Sequence, residues 1–371
     1  MGGGEGQWLG AVARGSGVGG GAGGGAGRMI VSLAMRFVLA AAFLVMVSCG
    51  GKPPATVAPA PEAAVPEAAE PEAKVATTVA FTEGPAQGPD GMIYFTDVAN
   101  NRILRFDPQT RKHEVFRADS NRANGLLFDG QGRLIACEGS DAARSAPRLT
   151  RTDLKTGKVE VIAAQFEGKS FNAPNDVTID SKGRLYFTDP APDATSVTAA
   201  KPANATGVAG VYRIDPDGKI TRLLAAPDTE WPNGLVISPD DKTLYVIEAN
   251  KVEGGTRAIR AYDLSAEGTL SNRRVHHNFY PGRSADGMAI DVEGNLYAAA
   301  GLHRRRGTHE TLDTKCGVHV ISPQGKLLRM IPIPEDTITN TAFGGADHKT
   351  LYVTAGKTLF EVSNAVAGMN R

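Results

Sequence analysis

One short phrase recurs six times between residues 83 and 345, and it limits the possible folds of this chain to repeat architectures. Each copy begins with an oxygen-bearing side chain and continues with mostly apolar residues. Five residues after its start, a Gly, Asp or Ser opens a turn that leads into the next strand. We call the first residues of the copies the head residues. They are Glu83, Asn124, Asn175, Asn233, Asp286 and Asn340.

From residue 75 onward the apolar residues alternate with a period of two, and hardly any stretch has helical spacing. Each copy contains about four such strands separated by Gly, Pro and Asp, and the heads lie roughly 40 to 58 residues apart. The sixth copy is one strand short, and residues 75–81 can supply it. The pattern therefore predicts an all-β fold, a six-bladed β-propeller over residues 76–366 with a metal site in its central channel.

The N-terminal region has a different composition. Residues 1–49 form a Gly-rich extension and then a basic residue followed by an apolar run that is too short to span a bilayer, which is typical of a signal peptide. Residues 46–49 resemble a bacterial lipobox, so we expect Cys49 to be lipidated. Residues 50–75 are rich in Pro, Ala and Glu and read as a linker. We therefore expect export, to the bacterial periplasm, to a membrane through the lipid, or to the medium.

Charge and cysteine content exclude several classes of function. The 40 basic and 40 acidic residues balance, which argues against a nucleic-acid-binding surface, and any membrane contact is assigned to the N-terminal lipid alone. Within the propeller, Cys137 and Cys316 lie far apart in sequence and are interpreted as two separate buried thiols. No Cys-x-x-Cys and no His-x-x-x-His pair occurs, so a zinc site of soft or imidazole ligands is not expected.

The head residues carry the functional prediction. In a propeller the first strand of each blade lines the channel, so side chains at one phase of these strands face a common axis. Two carboxylates and several amide oxygens suit Ca²⁺ first, Mg²⁺ or Mn²⁺ second, and Zn²⁺ as a substitute in vitro. The alternative is that the Asn-Gly and Asp-Gly pairs are ordinary turns. The turn in each copy, however, is already assigned to residues five positions later.

These phrases resemble the gluconolactonase, regucalcin and senescence-marker-protein family of six-bladed propellers. The matching segments are residues 82–85, 171–177, 231–235, 286–291 and 339–345. The resemblance implies that Glu83, Asn233 and Asp286 bind a divalent cation, usually calcium, and that Asn175 completes the site or holds substrate and water. We also assign substrate contacts to Asn124, Asn172 and Asn175. Ala173 stands where the animal branch carries an Arg that contacts sugar hydroxyls, so the substrate is left open.

The resulting hypothesis is a divalent-metal-dependent hydrolase that opens a sugar lactone such as gluconolactone, with the cation as Lewis acid and Asp286 as base. Two alternatives remain at this stage. One is a non-catalytic propeller that binds a ligand in its channel, and the other is a phosphotriesterase acting at the same cation. A long insertion containing His303 and Arg304–Arg306 is expected to cover the channel mouth. The arginines are either solvated or steer an anionic substrate.

Overall fold

The computed structural model describes residues 71–139, 145–191 and 204–369. Over these residues the chain forms six four-stranded antiparallel sheets and one short two-stranded ribbon. No helix among them is long and apolar enough to cross a membrane. The signal segment, the lipidation of Cys49 and most of the linker lie outside the described residues and stay predictions.

Each sheet is one blade. In five of the six blades the strands follow one another in the chain from the channel outward, and the sixth takes its outermost strand from the start of the propeller. A closing strand precedes the first blade: β1 (Lys74–Thr78). Blade 1 has β2 (Thr82–Gln87), β3 (Ile93–Asp97), β4 (Arg102–Asp107) and β5 (Lys112–Ala118). Blade 2 has β6 (Ala123–Phe128), β7 (Leu134–Glu138), β8 (Arg148–Thr152) and β9 (Val159–Ala163). The ribbon is β10 (Gln165–Phe166) with β11 (Lys169–Ser170).

The remaining blades repeat this order. Blade 3 has β12 (Val177–Ile179), β13 (Leu185–Asp189), β14 (Gly210–Ile214) and β15 (Ile220–Leu224). Blade 4 has β16 (Pro232–Ile237), β17 (Thr243–Ala249), β18 (Arg257–Leu264) and β19 (Leu270–Asn278). Blade 5 has β20 (Ala285–Ile290), β21 (Leu296–Ala300), β22 (Gly317–Ile321) and β23 (Leu327–Pro332). Blade 6 has β24 (Ile338–Gly344), β25 (Thr350–Ala355) and β26 (Thr358–Ser363).

The ring closes as the sequence predicts, because β1 pairs with β26 and completes blade 6. The first strand begins at Lys74, close to the expected boundary. At the other end the ordered chain continues past residue 366, since the Met369 amide donates to the Ile290 carbonyl at 3.0 Å. The C-terminal segment therefore docks on blade 5 instead of leaving the fold.

The cores lie between neighbouring blades, which explains why the second strands are buried on both faces. All five residues of β3 and of β13 are buried, whereas most of the outer strand β5 is exposed. Aromatic rings fill one of these interfaces, with Phe187 and Tyr212 stacked at 5.2 Å. Cys137 and Cys316 are both buried and free, which confirms the interpretation of two separate thiols.

Strand register corrects the phase of the sixth head residue. In blade 4 the bulge between Pro232 and Leu235 contains the head Asn233 and a glycine, and Leu235 pairs with Val246. In blade 6 the equivalent pair is Thr341 with Val353, which places Thr339, not Asn340, at the head position. The expectation for Asn340 was wrong because the turn after β24 is one residue longer than the turn after β16.

Candidate metal centre and active site

Five head residues line one cavity of about 390 Å³, which we call the head-side cavity. Its size is within the usual range for a small-molecule site. These five side chains come from the first strand or the preceding loop of blades 1 to 5. They are Glu83, Asn124, Asn175, Asn233 and Asp286. The channel geometry predicted from the repeat is therefore confirmed for five copies and not for the sixth.

A glycine directly after most heads allows the inner strands to approach closely. Gly84 has a φ of 42°, and a Cβ there would lie 2.1 Å from the carbonyl oxygen of Asn124 on the next blade. A Cβ on Gly287 would lie 2.1 Å from the Asn340 side chain. Any larger residue at these positions would push the blades apart and separate the head side chains. The Asn-Gly and Asp-Gly pairs thus serve packing around the axis, and the hairpin turns lie elsewhere.

Asp286 is the best-connected head residue. Its Oδ1 accepts a hydrogen bond of 2.7 Å from the Asn233 amide, and its Oδ2 pairs with the Arg283 guanidinium at 2.6 Å. Arg283 also donates to the Ile338 carbonyl at 3.0 Å, which fixes the guanidinium in place. The Asp286 side chain keeps 18% of its surface exposed, and that part faces the cavity. Asn233 and Arg283 therefore orient the Asp286 carboxylate at the cavity.

Glu83 is more deeply buried and forms no ion pair with another described residue. Its Oε2 accepts the Gly84 amide at 3.3 Å. Burial raises the pKa of Glu83 well above its usual value, and the nearby carboxylates of Asp286 and Asp176 raise it further. Burial also raises the pKa of Asp286, although Arg283 opposes that shift. Within the described residues, Asp286 therefore has a cation in direct contact, whereas the charge of Glu83 is poorly compensated.

The donor set of this centre fits a hard divalent cation. Two carboxylates and the amide oxygens of Asn175 and Asn233 resemble the oxygen ligands that Ca²⁺ and Mg²⁺ prefer. The Asn233 amide can turn through half a circle and present its oxygen instead of its nitrogen. Within the described ranges no group of three or more His, Cys, Asp or Glu side chains is positioned to hold a metal ion.

Asp176 and Asn340 lie one residue beyond the heads and line a second cavity on the turn side of the channel, of about 640 Å³. The Asn340 amide donates to Asp176 Oδ2 at 3.3 Å across the channel. Burial raises the pKa of Asp176 to about 7. Apolar residues such as Leu126 and Val236 make up much of the rest of this cavity. The head-side cavity, with its carboxylate pair, is the stronger candidate for chemistry.

Asn172 does not join the other predicted substrate contacts. It is fully buried, and its amide nitrogen donates to the Val208 carbonyl at 2.9 Å and to Asp189 at 3.2 Å. Its amide oxygen accepts from the Gly207 backbone at 3.0 Å. With both ends of the amide occupied, Asn172 holds the loop that carries Asn175. Asn124 and Asn175, by contrast, both reach the cavity.

Sequence reasoning missed a group of buried acids at the ends of second strands. Asp189 accepts the backbone amides of Asn172 and Ala173 at 2.9 and 2.7 Å. Glu248 does the same for Glu230 and Trp231 at 3.0 and 2.9 Å. Each acid thus fixes the segment just before a head residue. The signal was present in the strand endings Phe-Thr-Asp at 95–97 and 187–189 and Val-Ile-Glu at 246–248.

The insertion at residues 301–316 reaches the cavity, where Arg306, Thr308 and Glu310 form part of its lining. The buried guanidinium of Arg257 anchors this rim, because it donates to the carbonyls of Pro281 and His309 at 2.8 and 3.3 Å. The backbone of Thr311 adds a bond of 3.0 Å to the Pro281 carbonyl. The expected position of the insertion at the channel mouth is therefore confirmed.

Comparisons with known proteins agree with this fold and site. The sequence profile described as SMP-30/Gluconolactonase/LRE-like region matches residues 81–357. A gluconolactonase of Zymomonas mobilis is 26% identical over 316 residues, which cover 79% of this chain and 81% of that protein.

Solved structures agree as well. A gluconolactonase of Xanthomonas campestris, XC5397, has 28% identity and a TM-score of 0.66, covering 79% of this chain and 89% of its own. A calcium-binding protein of Agrobacterium tumefaciens, regucalcin, shares the fold with 20% identity and a TM-score of 0.61, covering 82% and 97% of the two chains. Since the profile spans most of the propeller, this chain belongs to the SMP-30/gluconolactonase/LRE-like family.

Proposed function

We propose that this protein is a divalent-cation-dependent lactonase that hydrolyses a sugar lactone in the head-side cavity, with Ca²⁺ as the first candidate cation. The observation that carries the proposal is that the buried carboxylate of Glu83 and the half-buried carboxylate of Asp286 face one cavity together with Asn175 and Asn233. The similarity to gluconolactonases supports the reaction class. The regucalcin named as a calcium-binding protein supports the choice of cation.

Glu83, Asn175, Asn233 and Asp286 would hold the cation through their oxygens. When bound, such a cation supplies Lewis acidity toward the lactone carbonyl and favours negative charge on its oxygen. Arg283 keeps Asp286 oriented through its ion pair of 2.6 Å. Asn124 lies in the same cavity and supplies an amide for the hydroxyl groups of the sugar ring. Phe81 and Trp231 provide apolar wall against which the ring can pack.

The proton balance follows from the position of Asp286. We assign it the role of general base, which takes a proton from the attacking water on a carboxylate oxygen. The acyl carbon then forms its bond to the water oxygen while the bond to the ring oxygen breaks. The ring oxygen leaves as a hydroxyl and receives that proton, so the product is an open-chain hydroxy acid. No nucleophilic serine is needed for this sequence.

Metal removal and add-back on the full chain tests the proposal. Chelated protein should show little hydrolysis of D-glucono-1,5-lactone, and Ca²⁺ should restore it, with Mg²⁺ and Mn²⁺ compared in parallel. The substitution Asp286→Asn keeps the size of the side chain and should lower kcat/KM by about 10² to 10³ or more. It should also weaken calcium binding in calorimetry, because one ligand loses its charge.

A matched control is Asp217→Asn, since Asp217 is exposed in a surface turn and accepts the Lys219 amide at 3.0 Å. Its activity should equal that of the wild type. Full lactonase activity in Asp286→Asn would overturn the assignment of the base. Calcium binding without hydrolysis of any lactone in a small panel would instead favour a non-catalytic binding propeller or a phosphotriesterase.

A further inference from the structure

Among the described residues that line the rim of the head-side cavity, cationic side chains outnumber acidic ones, which a neutral sugar would not require. Three cationic side chains line it near the mouth, namely Arg122, Lys251 and Arg306. Among the described residues that line this cavity, Glu310 is the one carboxylate outside the pair that we assign to the cation. Binding of a divalent cation by that pair would leave the cavity with a net positive field.

Arg306 lies at the mouth, where Asp336, Glu310 and Asp286 offset only part of the cost of burying its charge. Its guanidinium donates to the Thr337 hydroxyl at 2.6 Å, and its ion pair with Asp336 is long, at 3.7 Å. The side chain keeps 35% of its surface exposed. Burial and the nearby Arg283 guanidinium both lower the pKa of Arg306, which indicates that the two cations repel each other. An anionic ligand between them would relieve that repulsion.

Arg122 lines the same rim from the start of blade 2, and its backbone adopts an unfavourable conformation there. Asn121 and Arg122 both have left-handed backbone conformations, with φ of 54° and 55°, which are unfavourable for residues other than glycine. In the described chain the Arg122 guanidinium makes no ion pair. Its backbone amide is fixed by the Asn101 side chain at 2.6 Å. The backbone is thus held in a strained form that sends a cationic side chain toward the cavity.

Lys251 approaches from blade 4, with its ammonium 5.8 Å from the centre of the Trp231 ring. Both residues line the cavity, so an aromatic wall and a cation face the same space. A ring of a sugar can stack on the indole while an acidic group on that sugar meets the ammonium. This is the arrangement expected for a polar ligand with one charged end.

We propose that the lactone substrate carries an acidic substituent, a carboxylate or a phosphate, which Arg122, Lys251 and Arg306 bind at the rim. The proposal rests on the proposed lactonase function and deepens it by naming the substrate class. The lactone carbonyl would lie at the carboxylate pair deep in the cavity, and the acidic group would lie at the mouth. Guanidinium groups are well suited to either anion through charge-assisted hydrogen bonds.

Binding of non-hydrolysable lactams tests the subsite independently of turnover. The probes are D-glucono-1,5-lactam, its 6-phosphate and the analogue with a 6-carboxylate, measured by calorimetry on calcium-loaded full-length protein. We expect at least one anionic probe to bind about tenfold more tightly than the neutral lactam at low salt. That ratio should shrink at high salt, because screening weakens exposed charges. Comparison of the affinities for the phosphate and carboxylate probes identifies which anion the rim prefers.

Variants of the rim localise the effect. Arg306→Gln and Arg122→Gln should each reduce the ratio of anionic to neutral affinity by roughly threefold or more. The matched control is Arg105→Gln, because Arg105 lies on β4 away from the cavity and pairs with Glu114 at 2.5 Å. Equal affinity of wild type for charged and neutral lactams would overturn the proposal, as would an unchanged ratio in both rim variants. A retained ratio in a protein that opens no lactone would support the anion subsite and overturn only the lactonase function.

Discussion

Glu83 and Asp286 illustrate a conflict between stability and function at the scale of single residues. Both are carboxylates at the channel axis, and burial disfavours the charge of each. Arg283 forms a direct ion pair with Asp286, whereas it stabilises the charge of Glu83 only by a longer-range electrostatic attraction. A chain selected for stability alone would place neutral groups here. The retained charges are explained if a cation occupies the centre in the working protein.

Replacing Glu83 with Gln tests this conflict. In cation-free protein the variant should be more stable than the wild type by about 1 to 3 kcal/mol, because a poorly compensated buried charge is removed. Calcium should raise the melting temperature of the wild type and have little effect on the variant. Thermal unfolding with and without chelator measures both effects. A variant that is less stable than the wild type without calcium, yet gains as much from calcium, would contradict this account.

His276, which does not line the head-side cavity, should make the unfolding free energy depend on pH. Burial lowers its pKa to about 4, against an unfolded value near 6.5, and its ring contacts Tyr245 and the Ser322 carbonyl. The stability contributed by neutral His276 is therefore fully present above pH 6.5 and is lost as the pH falls toward 4. Replacing His276 with Gln should reduce the loss of unfolding free energy between pH 7 and pH 4. Denaturant titrations at both pH values test it, with the exposed His113→Gln as control.

At the scale of elements, the backbone just before three of the inner heads is fixed by acidic side chains from the second strand of the same blade. Asp97 and Asp189 end β3 and β13, and Glu248 is the penultimate residue of β17. These acids accept backbone amides from the segments that lead into the heads of blades 1, 3 and 4. Heads could be predicted from sequence because they repeat with the strand pattern. The acids that hold the head residues in place could not be predicted, since an Asp or Glu near a strand end does not reveal which backbone amides it will accept. The same limit applied to Asn340, whose phase depends on a turn of unusual length.

Removing the Asp189 carboxylate should disturb both folding and function. Asp189→Ala leaves the buried amide of Asn172 and the partly buried amide of Ala173 without their acceptor, so we expect a loss of about 2 to 4 kcal/mol in unfolding free energy. Because the same loop carries Asn175, kcat/KM should fall by at least about tenfold. Chemical denaturation and lactone kinetics check the two effects. Asp217→Ala, at an exposed turn, should change stability by less than about 0.5 kcal/mol.

At the scale of the whole molecule, the ring brings the head residues of five blades to one cavity. The number of blades and the closing strand followed from the sequence, because six copies with one missing strand leave few alternatives. The residues of the rim could not be predicted from the sequence, because Arg122, Lys251 and Arg306 come together from blades that are distant in sequence. Arg257 also had no sequence signal, although it ties the rim to blade 4 through backbone carbonyls. Periodicity thus predicts the ring, and three-dimensional packing sets the substrate contacts.

Deleting residues 71–78 should weaken the closure of the ring. Without β1, the edge of β26 loses its hydrogen-bond partners, including those opposite Thr77 and Thr78, and Ala76 no longer packs beside Leu359. We expect a loss of about 3 kcal/mol, from a few strand hydrogen bonds of about 1 kcal/mol each. The exposed edge should also promote association between chains. Thermal unfolding and sedimentation of chains that begin at residues 71 and 79 test this. If the chain that begins at residue 79 is as stable as the longer one and associates no more, β1 does not contribute to closing the ring.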